Sequence, residues 1–357
     1  MKKTAPSSLL RSAFDFRSIT KACSQQFKAL KTLLFISNFC LMTFRRVEPY
    51  INLRFTYNKR ICIRIIERPG LWMSPTETQA IVDDLRKVVR KVVGKDLDYG
   101  VLRGSQTELN AAILTIIYDA RTGIPIAFNA LAAMDCALSK ESIEVIHLGI
   151  AVLDPASKYS GFLRSFMVLT VFLFFLKRGA HTFWITNVTQ IPAVFGVIGE
   201  TFSSVFPTPD HSTRRSFRHL ALARKVMQHY RTVFGVGKEA VFDENRFIIT
   251  NSYTGGSDNL KKSFEETIKY RNPIYNEYCQ KQLDYGRGDD FLQIGCTDLK
   301  LFWRCILHSV PKGSFLSIVG RSIVGQFFYL TIEKIVIPVI QWFSSKQSMR
   351  GLRPWKS

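Results

Sequence analysis

The feature that most limits what this chain can fold into is a change of hydrophobic period, made three times between residues 142 and 202. Residues 142–153 form an apolar run ended by Asp154-Pro155, the pattern of a buried strand. Residues 161–178 are apolar nearly all round, as in a helix buried by protein or by lipid. A second strand follows at 181–187, and then a helix at 190–202 with Pro192 in its first turn. Only a sheet with helices packed on it buries such an alternation.

The upstream sequence extends this order. Residues 61–66 alternate around Arg64 as a strand does. Ser74 is placed to cap a helix opened by Pro75, and Glu77 completes a capping box. Ile81, Leu85, Val88, Val89 and Val92 share one face of that helix, and Gly94 ends it. Residues 111–118 read as a buried strand, 119–123 as a turn containing Gly, and 124–134 as the hairpin partner. The expected fold is therefore α/β (α+β), a mixed central sheet flanked by helices.

Four segments are expected. Residues 1–46 form a basic helical or targeting segment, 51–207 the core, 208–300 its C-terminal part or a small extension, and 301–345 an amphipathic or membrane-associated helical region. Within 208–300 we expect a basic helix at 213–231 (Arg214, Arg215, Arg218, Arg224, Lys225, Arg231). Strands are expected at 247–253 and at the end of 287–295, with a short charged helix at 259–269.

Charge bears on partners. The chain carries a formal +21, and residues 1–60 hold twelve basic residues against Asp15 and Glu48, about half of the excess. Such a surface suits phosphates, anionic lipid or an acidic carrier. Residues 1–46 lack a secretory cleavage pattern. They read as an interfacial basic helix or, in a eukaryote, as a mitochondrial targeting segment. The apolar stretch 32–44 is too short to span a bilayer, which needs about 20 residues. Residues 322–343 are long enough but carry Glu333 and Lys334 at their middle. They read as an amphipathic helix on a membrane or protein surface, with a tilted span as the alternative. Seven scattered cysteines without a CxxC pair, and six histidines without metal-site spacing, argue against a disulfide framework or a metal site. The cysteines indicate free thiols in a reducing, intracellular compartment, and the basic N-terminal region with the C-terminal helix implies peripheral membrane association.

The run from His147 to Phe162, HLGIAVLDPASKYSGF, ends a strand, turns at a Pro and opens a helix at a Gly. Amides at such a helix start have no partner within the helix and lie at its positive end, where they can hold phosphate. The whole order, centred on 143–207, resembles the GNAT family of acyl-CoA-dependent N-acyltransferases. In that family the central strand runs into a loop of the form Val-x-Pro-x-x-(Arg/Gln)-x-x-Gly-x-(Gly/Ala), matched here by Pro155, Lys158 and Gly161. An Asn soon after the next strand is matched by Asn187. Lys158 keeps a donor where the family has Arg or Gln. Leu163 stands where the family keeps Gly or Ala, and no Tyr follows Asn187; Val194 and Phe195 stand near that place.

The resemblance implies an N-acyltransferase that moves an acyl group from an acyl-CoA or acyl-carrier-protein thioester to an amine. Acyl-homoserine-lactone synthases and long-chain N-acyl amino acid synthases are the branch that would use a carrier protein. It implies donor contacts from Ile150, Val152, Leu153, Lys158, Ser160, Gly161, Phe162 and Asn187. A base would take the amine proton. Glu144 and His147 on the strand are the first candidates, and their three-residue spacing puts them on opposite faces. Tyr159 and Glu200 follow. The alternatives are a non-catalytic protein of this fold that binds acidic membrane or an acidic partner, and a nucleic-acid-binding protein. No stacking aromatics accompany the Arg-rich helix, which disfavours the last. Gly235-Val-Gly-Lys238 lacks a phosphate-loop frame, and Arg287-Gly-Asp-Asp290 reads as a turn, with a metal-binding carboxylate pair as the alternative. The Phe-rich stretch 166–175 reads as core or as the lining of an acyl chain.

Overall fold

The computed structural model describes residues 50–58, 60–138, 141–154, 162–178, 181–210 and 213–298, with 301, 335 and 339. By its internal contacts the chain divides into two units, Met1–Ala22 with Tyr50–Arg304 and Cys23–Pro49 with Cys305–Ser357. The sheet belongs to the first. The expected segment 1–46, the loop 155–161, and all but Ile335 and Val339 of the helix expected at 322–343 lie outside the described residues.

The fold is mixed α/β, a central mixed sheet flanked by helices. In chain order the elements are β1 (Asn52–Asn58), β2 (Ile61–Glu67), α1 (Pro75–Val93), α2 (Gln106–Ala111), β3 (Ala112–Asp119), β4 (Pro125–Leu138), β5 (Glu141–His147), β6 (Ala151–Leu153), α3 (Phe162–Lys177), β7 (Trp184–Thr189) and α4 (Pro192–Thr201). There follow β8 (Ser203–Phe206), α5 (Phe217–His229), β9 (Val241–Asp243), β10 (Ile248–Thr250), α6 (Pro273–Gln282) and β11 (Asp290–Cys296). The sheet runs β1-β2-β3-β4-β5-β7-β11-β10-β9, with β6 also on β4 and β8 also on β11. Residues 208–298 thus complete the same sheet. Among the described residues β5 and β7 are the one parallel pair.

One face packs α1 and α5. The capping box at Ser74 and Glu77 forms, Gly94 closes α1 in the left-handed region, and Ile81, Val82, Leu85, Val88 and Val89 are buried. They join Leu222, Ala223 and Val226 of α5 over Ile116, Phe128, Ala130, Val145 and Val152 of the sheet. The other face packs α3 and α4. On α3, Val171, Leu173, Phe174 and Phe175 are buried and Thr170 meets Thr115 of β3. α6 packs outside α4, where Phe195 stacks on Tyr278 and Phe291. Gly196 is required there, because a Cβ would lie 2.3 Å from the Tyr270 ring.

Several expectations are corrected. The basic helix starts at Phe217 rather than 213, because Ser216 caps it by accepting from the His219 amide while His219 Nδ1 accepts from Ser216 N. Residues 259–269 form no α-helix. A single 3-10 turn at Asp258–Leu260 is followed by turns, in which Ser263 N and Oγ both donate to Glu266. The strand at 247–253 shrinks to β10 because Phe247 and Asn251 both have positive φ. The strand at 142–153 is broken into β5 and β6. No helix among the described residues is long and apolar enough to cross a membrane.

Candidate functional site

The break between β5 and β6 defines the site. β5 lies parallel to β7 through Val145–Trp184, Ile146–Ile185 and His147–Thr186, and Leu148 N donates to Thr186 O at 2.7 Å. Along β4 the pairing then slips by one. Ala132 faces His147, but Asn129 faces Ala151 and Ala127 faces Leu153. The extra residue is a β-bulge at 148–150. Gly149 is needed because a Cβ there would come 2.5 Å from Ala130 O.

Beyond the bulge the two strands part. Ile150 O accepts from Ala130 N and Asp154 N donates to Ile126 O, both at 2.8 Å. These bonds fix the alternation. Ile150, Val152 and Asp154 turn backbone groups toward β4, while Ala151 and Leu153 turn theirs toward the side from which β7 departs. β7 continues on β11, with Val188 opposite Leu292 and Thr189 opposite Phe291. Among the described residues no rung joins β6 to β7, which leaves an opening between them on the side to which the Ala151 and Leu153 amides turn. Lys91 of α1 fixes the end of β6 through Asp154 at 2.5 Å.

The residues expected from sequence fall as follows. Leu153 and Ala151 turn their amides away from β4, whereas the Ile150 and Val152 backbone groups are turned toward it. His147 faces the α1 and α5 side and is 2% exposed. Its Nδ1 lies 3.1 Å from Thr186 Oγ1, and its ring sits 4.9 Å from that of Phe234. Burial pushes its pKa down to about 3, so it is a neutral, weakly basic imidazole. Glu144, on the opposite face as expected, is held by Arg178 at the end of α3 and by Arg68 at 3.0 Å. Burial raises its pKa while the two guanidiniums oppose the rise. Glu200 on α4 is held by Tyr270 and Arg271. These three carboxyl and imidazole groups are thus not brought together. Asn187 donates to Gln293 Oε1 at 3.2 Å, and Gln293 donates to Phe195 O at 3.1 Å, so the Asn187 amide serves the β7–β11 pairing. Phe162 opens α3. Lys158, Tyr159, Ser160 and Gly161 lie outside the described residues.

Two further polar groups stand out, one of which, Asp290, the sequence offered only as half of a carboxylate pair. Asp290 opens β11, where it pairs with Ile249 of β10, one residue before Phe291 meets Thr189 at the end of β7 that parts from β6. Ser252 Oγ and, at 3.0 Å, Tyr253 OH donate to the Asp290 carboxylate. Burial pushes its pKa up to about 7 against those two donors. Arg287 pairs with Asp289 instead, at 2.7 Å. Residues 285–288 form the turn expected ahead of the strand, and the two carboxylates that follow take different partners. Gln190 is buried and its Oε1 has no partner. The second group is Asn129, buried in the middle of β4 with both amide atoms unpaired. A lone amide within the apolar run Ile126–Met134 was the available signal.

No family model matches the chain, and no curated protein matches it. Among solved structures, one match is described as a unique GCN5-related glucosamine N-acetyltransferase region in a fungal multi-domain GH3 beta-N-acetylglucosaminidase. It is 11% identical, with a TM-score of 0.23, over 39% of this chain and 14% of that one. An overlap so small says nothing of activity.

Proposed function

We propose that this protein is an N-acyltransferase that carries an acyl group from an acyl-CoA or acyl-carrier-protein thioester to an amine at the opening between β6 and β7. The observation that carries this reading is the parting of the parallel pair at the 148–150 bulge, which leaves the Ala151 and Leu153 amides turned toward the opening. Amides held in that way stabilise the oxyanion that forms when an amine attacks a thioester carbonyl. The C–N bond forms, the C–S bond breaks, and the thiolate leaves. The proton lost by the amine passes to a base, and Asp290, at the parting end of β7 with a carboxyl titrating near neutrality, supports that role better than His147, Glu144 or Glu200.

Thermal stabilisation by coenzyme A, by acyl-CoA and by acyl carrier protein tests the reading. A shift of several degrees with a thioester donor is expected; no shift with any of them ends it. A second reading, a non-catalytic protein bound to an acidic surface, is favoured by Phe217, 82% exposed beside Arg215 and Arg218 where α5 begins. Flotation with anionic vesicles in the absence of any thioester response would select it.

A further inference from the structure

Asn129 carries an inference about what enters the opening. Its side chain is 2% exposed, and neither Nδ2 nor Oδ1 has a hydrogen-bond partner. Among the described residues it is the one buried side chain with both polar ends unpaired. An unsatisfied buried group destabilises the fold, and the other amides on this face, Asn187 and Gln293, are bonded to each other. Asn129 is thus an exception within its own sheet.

Its position explains where a partner comes from. Thr115 on β3 and Ala151 on β6 are its cross-strand neighbours, which places it on the face packed by α3. Ala151 is exposed while Asn129 is not. Directly opposed side chains have Cβ atoms about 5 Å apart. A ligand lying along β6 against Ala151 therefore comes within reach of the Asn129 amide.

We infer that Asn129 is a ligand-binding residue of the opening, and that the group it binds is both donor and acceptor: a secondary amide or a hydroxyl. A keto or thioester oxygen would pair with Nδ2 and leave Oδ1 unpaired; an ammonium would do the reverse. The inference rests on the thioester reading above, which offers two sources of this chemistry. One is the amide-bearing pantetheine arm common to coenzyme A and carrier protein. The other is a hydroxyl on the acyl chain itself.

The test measures affinities of the full-length protein and its Asn129→Leu variant for coenzyme A, dodecanoyl-CoA and 3-hydroxydodecanoyl-CoA. The variant removes an unpaired amide, so its ligand-free melting temperature is expected at or above that of the parent; Asn129→Ala serves if Leu disturbs the packing. Loss of about tenfold in affinity for all three ligands assigns the arm; the same loss confined to the hydroxylated thioester assigns the chain. Parent-like binding of all three by the variant overturns the role of Asn129 and leaves the donor reading intact. If the parent protein binds none of them, both fall together.

Discussion

Leu148 donates its amide to the carbonyl of Thr186, and that bond is the last rung between β5 and β7. One residue later Gly149 lies so close to β4 that a Cβ would stand 2.5 Å from Ala130 O. The rung and the glycine together fix where the strands part. Gly149→Ala must push β4 and β6 apart or remove the bulge. Overpacking of this kind costs about 1–3 kcal/mol. The expected result is a lower urea midpoint together with loss of thioester stabilisation. An unchanged midpoint and unchanged stabilisation would show that the close approach does not shape the opening.

His147 supplies a pH signature. Burial holds its pKa at about 3, against about 6.5 in an unfolded chain. Between those values the unfolded chain binds the extra proton and the folded one does not. Stability is therefore present above about pH 6.5 and is lost as pH falls, by at most about 1.4 kcal/mol per unit. His147→Gln removes the titrating group. Urea melts at pH 7, 6 and 5 are expected to show a flatter dependence for the variant, with acyl transfer at pH 7 retained. Loss of transfer with normal folding would return His147 to the chemistry.

What the sequence made legible depended on local signals. Helix α1 is announced by Ser74, Pro75, Glu77 and Gly94, each acting within a few residues. The β3–β4 hairpin is announced by Asp119, whose carboxylate accepts from the Arg121 and Thr122 amides, and by Gly123 at positive φ. The bulge is different. Leu148, Gly149 and Ile150 look like ordinary members of an apolar strand, and the need for Gly149 appears only once Ala130 is placed against it. Asp290 is harder still. Its environment depends on Ser252 and Tyr253 across a loop, on Arg287 choosing Asp289, and on pairing with Ile249 of β10. Those are long-range facts, whereas period and capping are local ones. Helix α2, six residues long, is too short to carry a helical period, whereas strand β1 alternates polar and apolar residues as Asn-Leu-Arg-Phe-Thr-Tyr-Asn and does carry the period of a strand.

Glu144 illustrates how a candidate base becomes a brace. Arg68 reaches it from the end of β2 and Arg178 from the end of α3, and Lys177 reaches Glu67 beside them. Glu144→Gln leaves two guanidiniums facing a neutral amide. Breaking a fully buried pair costs about 3–5 kcal/mol, but Arg178 is 44% exposed and can turn to water. A loss of roughly 1–3 kcal/mol is expected, read from denaturant unfolding, with acyl transfer preserved in the folded fraction. A selective loss of turnover without loss of stability would contradict the bracing role.

Asp290 gives the sharpest test, because stability and catalysis predict opposite outcomes for one substitution. Its carboxyl titrates near 7 when folded and near 3.9 when unfolded. Between those values the folded chain holds the extra proton, so stability declines as pH rises from about 4 to about 7 and stays lowered above that. Asp290→Asn keeps the shape: its Oδ1 still accepts from Tyr253, its Nδ2 can donate to Ser252 Oγ, which retains Gly288 O as an acceptor, and it carries no charge at any pH. The variant is expected to be more stable than the parent at pH 8 and nearly equal to it at pH 4. If Asp290 takes the amine proton, the same variant loses about 10²–10⁴-fold in acyl transfer, and the limb near pH 7 vanishes from its rate profile. A stabilised variant with full activity and an unaltered profile would leave Asp290 as a buried structural acid, and the base would then have to be water or a residue of the 155–161 loop.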